Sequence, residues 1–272
     1  TEKTPEKIST GDNHTSILMS DGTIYSCGDN SSGAFGDGTT TNSSSLVEMT
    51  NDTGYTPSEI VCGLNNMTIL MTNGKIYGCG YNTYGVLGNG GTTNSSSLVE
   101  MTNTTGKTPS SIRHGKYHLV VKMTDGTIYG CGGNQVNSLK NSATTEYTSL
   151  TQLDSITGKT IKQIQLGDRF TIVLMTDGSI YLRGYSYTKI AHVSAPSGKT
   201  LASYDVGNLH IVCVMTDGTV YGYGWNSSGQ LGNGETSGGE LSLVEITLPT
   251  GKTASKVCCG YNFTIILMTD GS

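Results

Sequence analysis

Lysines, histidines and carboxylates recur at matching positions along this chain of 272 residues, and each set has a chemistry it could perform. The tetrapeptide TGKT, with Ser197 in place of its first Thr in the fourth repeat, places Lys107, Lys159, Lys199 and Lys252 alike. In a phosphate-binding loop such a lysine works beside glycine amides, with a further Gly five residues before the motif's own. Met101, Leu153, Val193 and Ile246 stand there instead. Strand patterns rather than a helix follow, so the phosphate loop is rejected and the lysines read as solvated turn positions. GCGYNTYG and GYGWNSSG miss the dinucleotide spacing by their later glycines.

His14, His118 and His210 share one slot, three residues after a Gly, but other copies fill it with Asn66, Phe170 and Phe263. A slot that accepts Phe packs rather than ligates. The Asp of each Asp-Gly pair is wanted there for backbone reasons, and Glu48, Glu100 and Glu245 read as outward strand positions. Neither a Ser-His-Asp order nor an HExxH helix is present. The expectation is therefore no catalytic residue, no metal site, no cofactor and no enzymatic activity.

Seven cysteines are an odd number and none forms a CxxC pair. Cys27, Cys79 and Cys131 occupy equivalent slots that Arg183 and Tyr223 fill in later copies, so they read as small packing residues. Cys258 and Cys259 are adjacent and point to opposite faces of an extended segment, which opposes a mutual disulfide. A reducing compartment, the cytoplasm, fits these thiols. No charged-then-apolar leader opens the sequence, and no apolar run is long enough to span a bilayer, so a soluble protein without membrane contact is expected. A net charge of −5 offers no electrostatic footprint for phosphate backbones, so direct nucleic-acid binding is not expected.

What must position these residues is a hairpin. Thr15 to Gly28, TSILMSDGTIYSCG, reads as two short apolar runs joined at Asp-Gly, with both turn residues expected at positive φ. It recurs, with Asp21, Asn73, Asp125, Asp177, Asp217 and Asp270 before the turn Gly at steps of 52, 52, 52, 40 and 53. A constant period of this size is the mark of a repeat architecture. The repeats run 8–59, 60–111, 112–163, 164–203 and 204–256, with a partial copy at 257–272. Each is expected to hold four strands: one from Ile8 to near Gly11, the hairpin pair, and one at Leu46–Thr50 or its equivalent. The third copy replaces the glycine-punctuated loop by GGNQVNSLKNS, and the fourth replaces it by YSYTKIAHVSAP.

GxxH, VMTDGTVY and NxxGQLGxG, clearest from Gly207 to Gly234, resemble the repeats of the regulator of chromosome condensation family. The resemblance extends over nearly the whole chain. It implies an all-β fold, a β-propeller of four-stranded antiparallel blades, usually seven, with 1–272 as one propeller domain of about five and a third repeats. Seven repeats at the observed step exceed 272 residues, so a fragment of a longer chain is favoured. The Trp of the family's Trp-Gly doublet is absent from its usual place, and Trp225 is the one tryptophan. Guanine-nucleotide exchange on a small GTPase is a further activity the resemblance implies.

Function is then left to the loops, which a propeller presents around a rigid scaffold. The glycine-rich loops offer Asn30, Tyr81, Asn82, Tyr84, Trp225 and Asn226 as protein-binding candidates, since Tyr and Trp bring large contact area at low entropy cost. Packing of each aromatic on its own repeat is the competing reading. The leading expectation is a non-enzymatic scaffold for protein partners. The alternative is a structural or assembly protein of a filament or virus particle that self-associates, with or without the genome.

Overall fold

In the computed structural model the described residues are 3–272 except 141, 143, 154, 155, 157, 185, 186 and 237, with 187–191 and 241 described by backbone alone. They form strands and connections, with no helix among them.

The first repeat supplies β1 (Pro5–Thr10), β2 (His14–Met19), β3 (Ile24–Gly28) and β4 (Ser43–Glu48). The second gives β5 (Pro57–Cys62), β6 (Asn66–Met71), β7 (Ile76–Gly80) and β8 (Ser95–Glu100). The third gives β9 (Pro109–His114), β10 (His118–Met123), β11 (Ile128–Gly133) and β12 (Glu146–Gln152). The fourth gives β13 (Ile161–Leu166), β14 (Phe170–Met175), β15 (Ile180–Gly184) and β16 (Tyr187–Val193). β17 (Leu201–Val206), β18 (His210–Met215), β19 (Val220–Gly224) and β20 (Glu240–Ile246) follow, then β21 (Ala254–Cys259) and β22 (Thr264–Met268). Each of the first five repeats is a four-stranded antiparallel meander, and β21 pairs with β22 as a two-stranded sheet. Two compact units result, Thr1–Thr157 with the first three sheets and Gly158–Ser272 with the rest.

The strands differ from the sequence expectation at their ends. The first strand of a repeat starts about Pro5 rather than Ile8, and the fourth runs Ser43–Glu48 rather than Leu46–Thr50. In the fourth repeat the residues read as a substitute loop are mostly β16 itself, with positions 185 and 186 outside the described residues.

The hairpin turn also corrects the expectation. Gly22 has φ 85° but Asp21 does not share the left-handed region; Asn137 is the one non-Gly residue described with positive φ. The Gly22 amide bonds to the Met19 carbonyl and the Met19 amide to the Thr23 carbonyl. That is a type I turn closed by a left-handed Gly, the usual three-residue hairpin. The Asp stays because Asp21 Oδ1 accepts the Thr23 amide at 3.0 Å and its hydroxyl at 2.6 Å.

Cores lie between consecutive sheets. Leu18 and Ile24 of the first pack with Ile60, Ile69, Met71 and Tyr77 of the second. Leu70 and Ile76 in turn meet Ile112, Val121, Met123 and Tyr129 of the third. In the second unit Ile172 and Ile180 join Tyr204, Cys213 and Met215. One sheet cannot bury both faces, so the inter-sheet layers hold each unit, each buried aliphatic side chain contributing roughly 1.5–3 kcal/mol.

Near the start of the second strand the packing is close enough to exclude side chains. A Cβ on Gly11 would lie 2.3 Å from His14 Cε1, and Gly207 stands the same way to His210. Phe170 and Phe263 cover Gly167 and Gly260 in like manner. The second repeat has Asn66 in the slot, and there His114 from the next repeat supplies the ring over Gly63. Any flat ring serves, which is why His and Phe interchange.

Candidate functional site

The loop after the third strand is built around one buried asparagine. Asn82 Oδ1 accepts the Leu87 amide at 2.9 Å, and its Nδ2 donates to Asn89 Oδ1, the Gly91 carbonyl and the Thr93 carbonyl. Asn30 makes the same bonds to Phe35, Asp37 and Thr39, and Asn226 to Leu231, Asn233 and Glu235. All three are 0 % exposed. They were expected as contact residues; their place is beneath the surface, where they fix the loops that carry one.

The third repeat keeps this loop despite losing its glycines. Asn134 Oδ1 accepts the Leu139 and Lys140 amides, and Asn137 takes the left-handed position, φ 60°, that Gly33, Gly85 and Gly229 hold in the other repeats. Asn tolerates that region better than other side chains, so the expectation of a lost loop gives way to a retained one.

A backbone bond from the loop's start to the turn between the first two strands puts both at one end of each sheet: Tyr81 to the Asn65 carbonyl, Gly133 to that of Tyr117, Trp225 to that of Leu209. In the second repeat the loop leans on the third, since Gly85 lies against Thr148 and Gly90 bonds to its carbonyl. Three tyrosines thereby converge. Tyr81 and Tyr84 meet edge to face with centroids 6.2 Å apart, and Tyr84 meets Tyr117 at 5.3 Å. Lys116 Nζ sits 5.8 Å from the Tyr117 ring centre and 3.1 Å from Asp12 Oδ2, tying the third repeat to the first. All three rings are half-buried. Each therefore rests on its repeat and still offers surface.

Sequence reasoning named Tyr81 and Tyr84 but missed Tyr117, Lys116 and Asp12. Tyr117 immediately precedes the His118 slot, where other repeats carry Asn13, Asn65, Arg169, Leu209 and Asn262, so one aromatic at a variable turn position was the available signal. Trp225 belongs to the second unit, half-buried, its indole N–H donating to Ser227 Oγ at 2.5 Å.

The remaining candidate chemistry is structural in placement. Cys79 and Cys131 are fully buried, their thiols facing the Ala34 and Val86 carbonyls of the preceding repeat at 3.3 Å, and burial pushes Cys131 up to about 12. A thiol so held is protonated and unreactive at neutral pH. The TGKT lysines are ion-paired rather than free: Lys107 with Asp125 and Lys159 with Asp177 at 2.7 Å, Lys199 with Asp217, Lys252 with Asp270. Lys3 makes the same pair with Asp21 at 3.1 Å.

The sequence model of the regulator of chromosome condensation (RCC1) repeat matches residues 217–267, and a second model of that repeat matches 6–34 and 58–86. The matched segments are RCC1-type repeats. It is 25 % identical over 260 residues to the ultraviolet-B receptor UVR8 of Arabidopsis thaliana, across 96 % of this chain and 50 % of that protein. The chain thus spans about half the length of that relative. The human WBSCR16 crystal structure superposes with a TM-score of 0.82 at 19 % identity, over 97 % of this chain and 72 % of that one. Prp20p from Saccharomyces cerevisiae, studied for its binding to Gsp1p and histones, gives 0.54 at 16 % identity, over 96 % and 81 %. The fold class is the RCC1-type β-propeller, its blades the four-stranded sheets above, and such a fold supports protein interaction in general.

Proposed function

We propose that this chain is a protein-interaction scaffold whose contact surface in the first unit is the Tyr81, Tyr84 and Tyr117 cluster. One observation carries the reading: three aromatic side chains from two repeats converge at the loop end, Tyr81 and Tyr84 on the loop pinned by buried Asn82 and Tyr117 on the turn before β10. Rigid loops lower the entropy lost on binding, and tyrosines are enriched among the residues that dominate interface energetics. The test is affinity capture with the wild-type chain against Tyr84→Ala/Tyr117→Ala. Loss of partners captured by the wild type, with the melting temperature kept, is the expected result; an unchanged set removes these residues from the claim.

A further inference from the structure

Asn-Gly is the most labile asparagine pairing, since a Gly with no side chain leaves its amide nitrogen open to attack the side-chain carbonyl carbon of the asparagine before it. The chain carries three, at Asn73, Asn89 and Asn233. Two are held in loops pinned by a buried asparagine. Asn89 Oδ1 accepts Asn82 Nδ2 at 3.3 Å and the Gly91 amide at 3.2 Å, and the Gly90 amide, the nitrogen that would attack, bonds to the Thr148 carbonyl of the third repeat at 2.8 Å. Asn233 Oδ1 accepts Asn226 Nδ2 at 2.9 Å and the Glu235 amide at 3.2 Å.

Asn73 is placed differently. It is exposed in the turn of the second hairpin, and among the described residues its side chain makes one hydrogen bond, Oδ1 accepting the Lys75 amide at 3.0 Å. The Gly74 amide bonds inside the same turn, to the Met71 carbonyl at 2.9 Å. Freeing the nucleophile there takes the opening of one surface turn, among the least costly local openings of a fold, whereas at Asn89 a loop must lift from the next repeat. The product also has a place waiting. Asp21, Asp125, Asp177, Asp217 and Asp270 fill this position in the other hairpins, and each accepts the amide two residues on, as Asn73 does.

We propose that Asn73 is a site of spontaneous deamidation in the folded protein, with water as the one co-reactant. The Gly74 amide nitrogen gives its proton to solvent and bonds to Asn73 Cγ, the side-chain amide takes a proton and leaves as ammonia, and water opens the resulting succinimide ring. Hydrolysis of the new Cγ–N bond restores the backbone and leaves an ordinary aspartate, the residue of the other hairpins. Hydrolysis of the old backbone C–N bond leaves isoaspartate, whose chain runs one methylene longer and disturbs the Met71 amide's bond to the Lys75 carbonyl. Either product adds a negative charge. The assignment is independent of the tyrosine surface.

The experiment incubates the wild-type chain at mildly alkaline pH in heavy-oxygen water, folded and in guanidinium chloride, and follows the label at the three asparagines by peptide mapping. In the folded chain Asn73 is expected to convert severalfold faster than Asn89 and Asn233, while in denaturant the three convert at comparable rates because local sequence alone then sets them. Asn73→Asp is expected to melt with the wild type. An Asn73 that stays unlabelled in the folded chain while the denatured chain converts, or that converts no faster than the other two, overturns the proposal. An Asn73→Asp chain melting well below the wild type would overturn the claim that the hairpin accepts the product.

Discussion

At the residue scale, the Lys–Asp pairs explain a substitution pattern that the sequence shows but does not interpret. Where other repeats have Lys and Asp, the second has Tyr55 and Asn73, and Lys75 enters two residues on. Lys75 bonds to Glu100 at 3.0 Å and lies 5.5 Å from the Tyr55 ring centre, so the ammonium reaches the same patch from the other strand. In the third repeat Lys107 lies 5.6 Å from the Tyr129 ring while bound to Asp125. The swap is of a set, not of single residues. Asp125→Asn alone is expected to cause only a small loss of stability, because the pair is exposed and screened. Lys107→Tyr/Asp125→Asn/Thr127→Lys/Gln152→Glu, which transplants the second repeat's set, is expected to regain that loss in urea denaturation. A quadruple variant weaker than Asp125→Asn would show that the set does not act as a unit.

At the scale of the element, the loop after the third strand is held by its asparagine, and the glycines serve it. Removing the Asn82 side chain strands the Leu87 amide and three acceptors in a buried place. Each unsatisfied buried group costs about 1–3 kcal/mol, part of which water entering the loop recovers. Asn82→Ala is therefore expected to lower stability by about 2–4 kcal/mol and to speed proteolysis within residues 85–94. Asn82→Asp keeps the Leu87 acceptor but sets a buried carboxylate oxygen against three acceptors, and is expected to destabilise at least as much. An Asn82→Ala chain as stable and protease-resistant as the wild type would show that the glycine turns hold the loop unaided. The hairpins, their period and the four-strand repeat were legible because two-residue alternation and a turn Gly are local signals. The loop's survival in the third repeat was not, since the eye follows Gly33, Gly85 and Gly229 while the determinant is Asn134 and the left-handed seat passes to Asn137. Nor was the tyrosine cluster, because Tyr84 and Tyr117 lie on different repeats and meet only through packing.

At the scale of the whole molecule, the two units differ in the rings that cover their inner glycines, and this gives them different responses to acid. The first holds His14, His114 and His118, while the second uses Phe170 and Phe263 with His210 alone between them. Burial holds His114 down at about 4, a trend the Gly115 carbonyl opposes and the nearby His14 adds to. Burial, with His114 adding to it, holds His118 at about 3. His14 and His210 are lowered by burial too, with Asp29 and Asp12 opposing the shift at His14 and the Phe263 backbone and Asp205 opposing it at His210. The folded-state values lie below the unfolded value near 6.5, so above that pH the imidazoles are neutral in both states and contribute no pH dependence. As the pH falls below 6.5 the unfolded chain takes up protons that the folded chain refuses, and stability is lost until the folded-state values are reached. Between pH 6.5 and 5 each strongly shifted histidine withdraws roughly 1–2 kcal/mol. Hydrogen exchange at pH 7 and pH 5, corrected for intrinsic rates, should show protection falling more in strands β2, β6 and β10 than in β14 and β18. His118→Phe copies the ring the fourth and sixth repeats already use and should remove much of the difference, because a benzene ring fills the same buried slot without a proton to gain. Equal loss of protection in both units, or a His118→Phe chain as acid-sensitive as the wild type, would mean that the buried imidazoles do not set the acid limit of this fold.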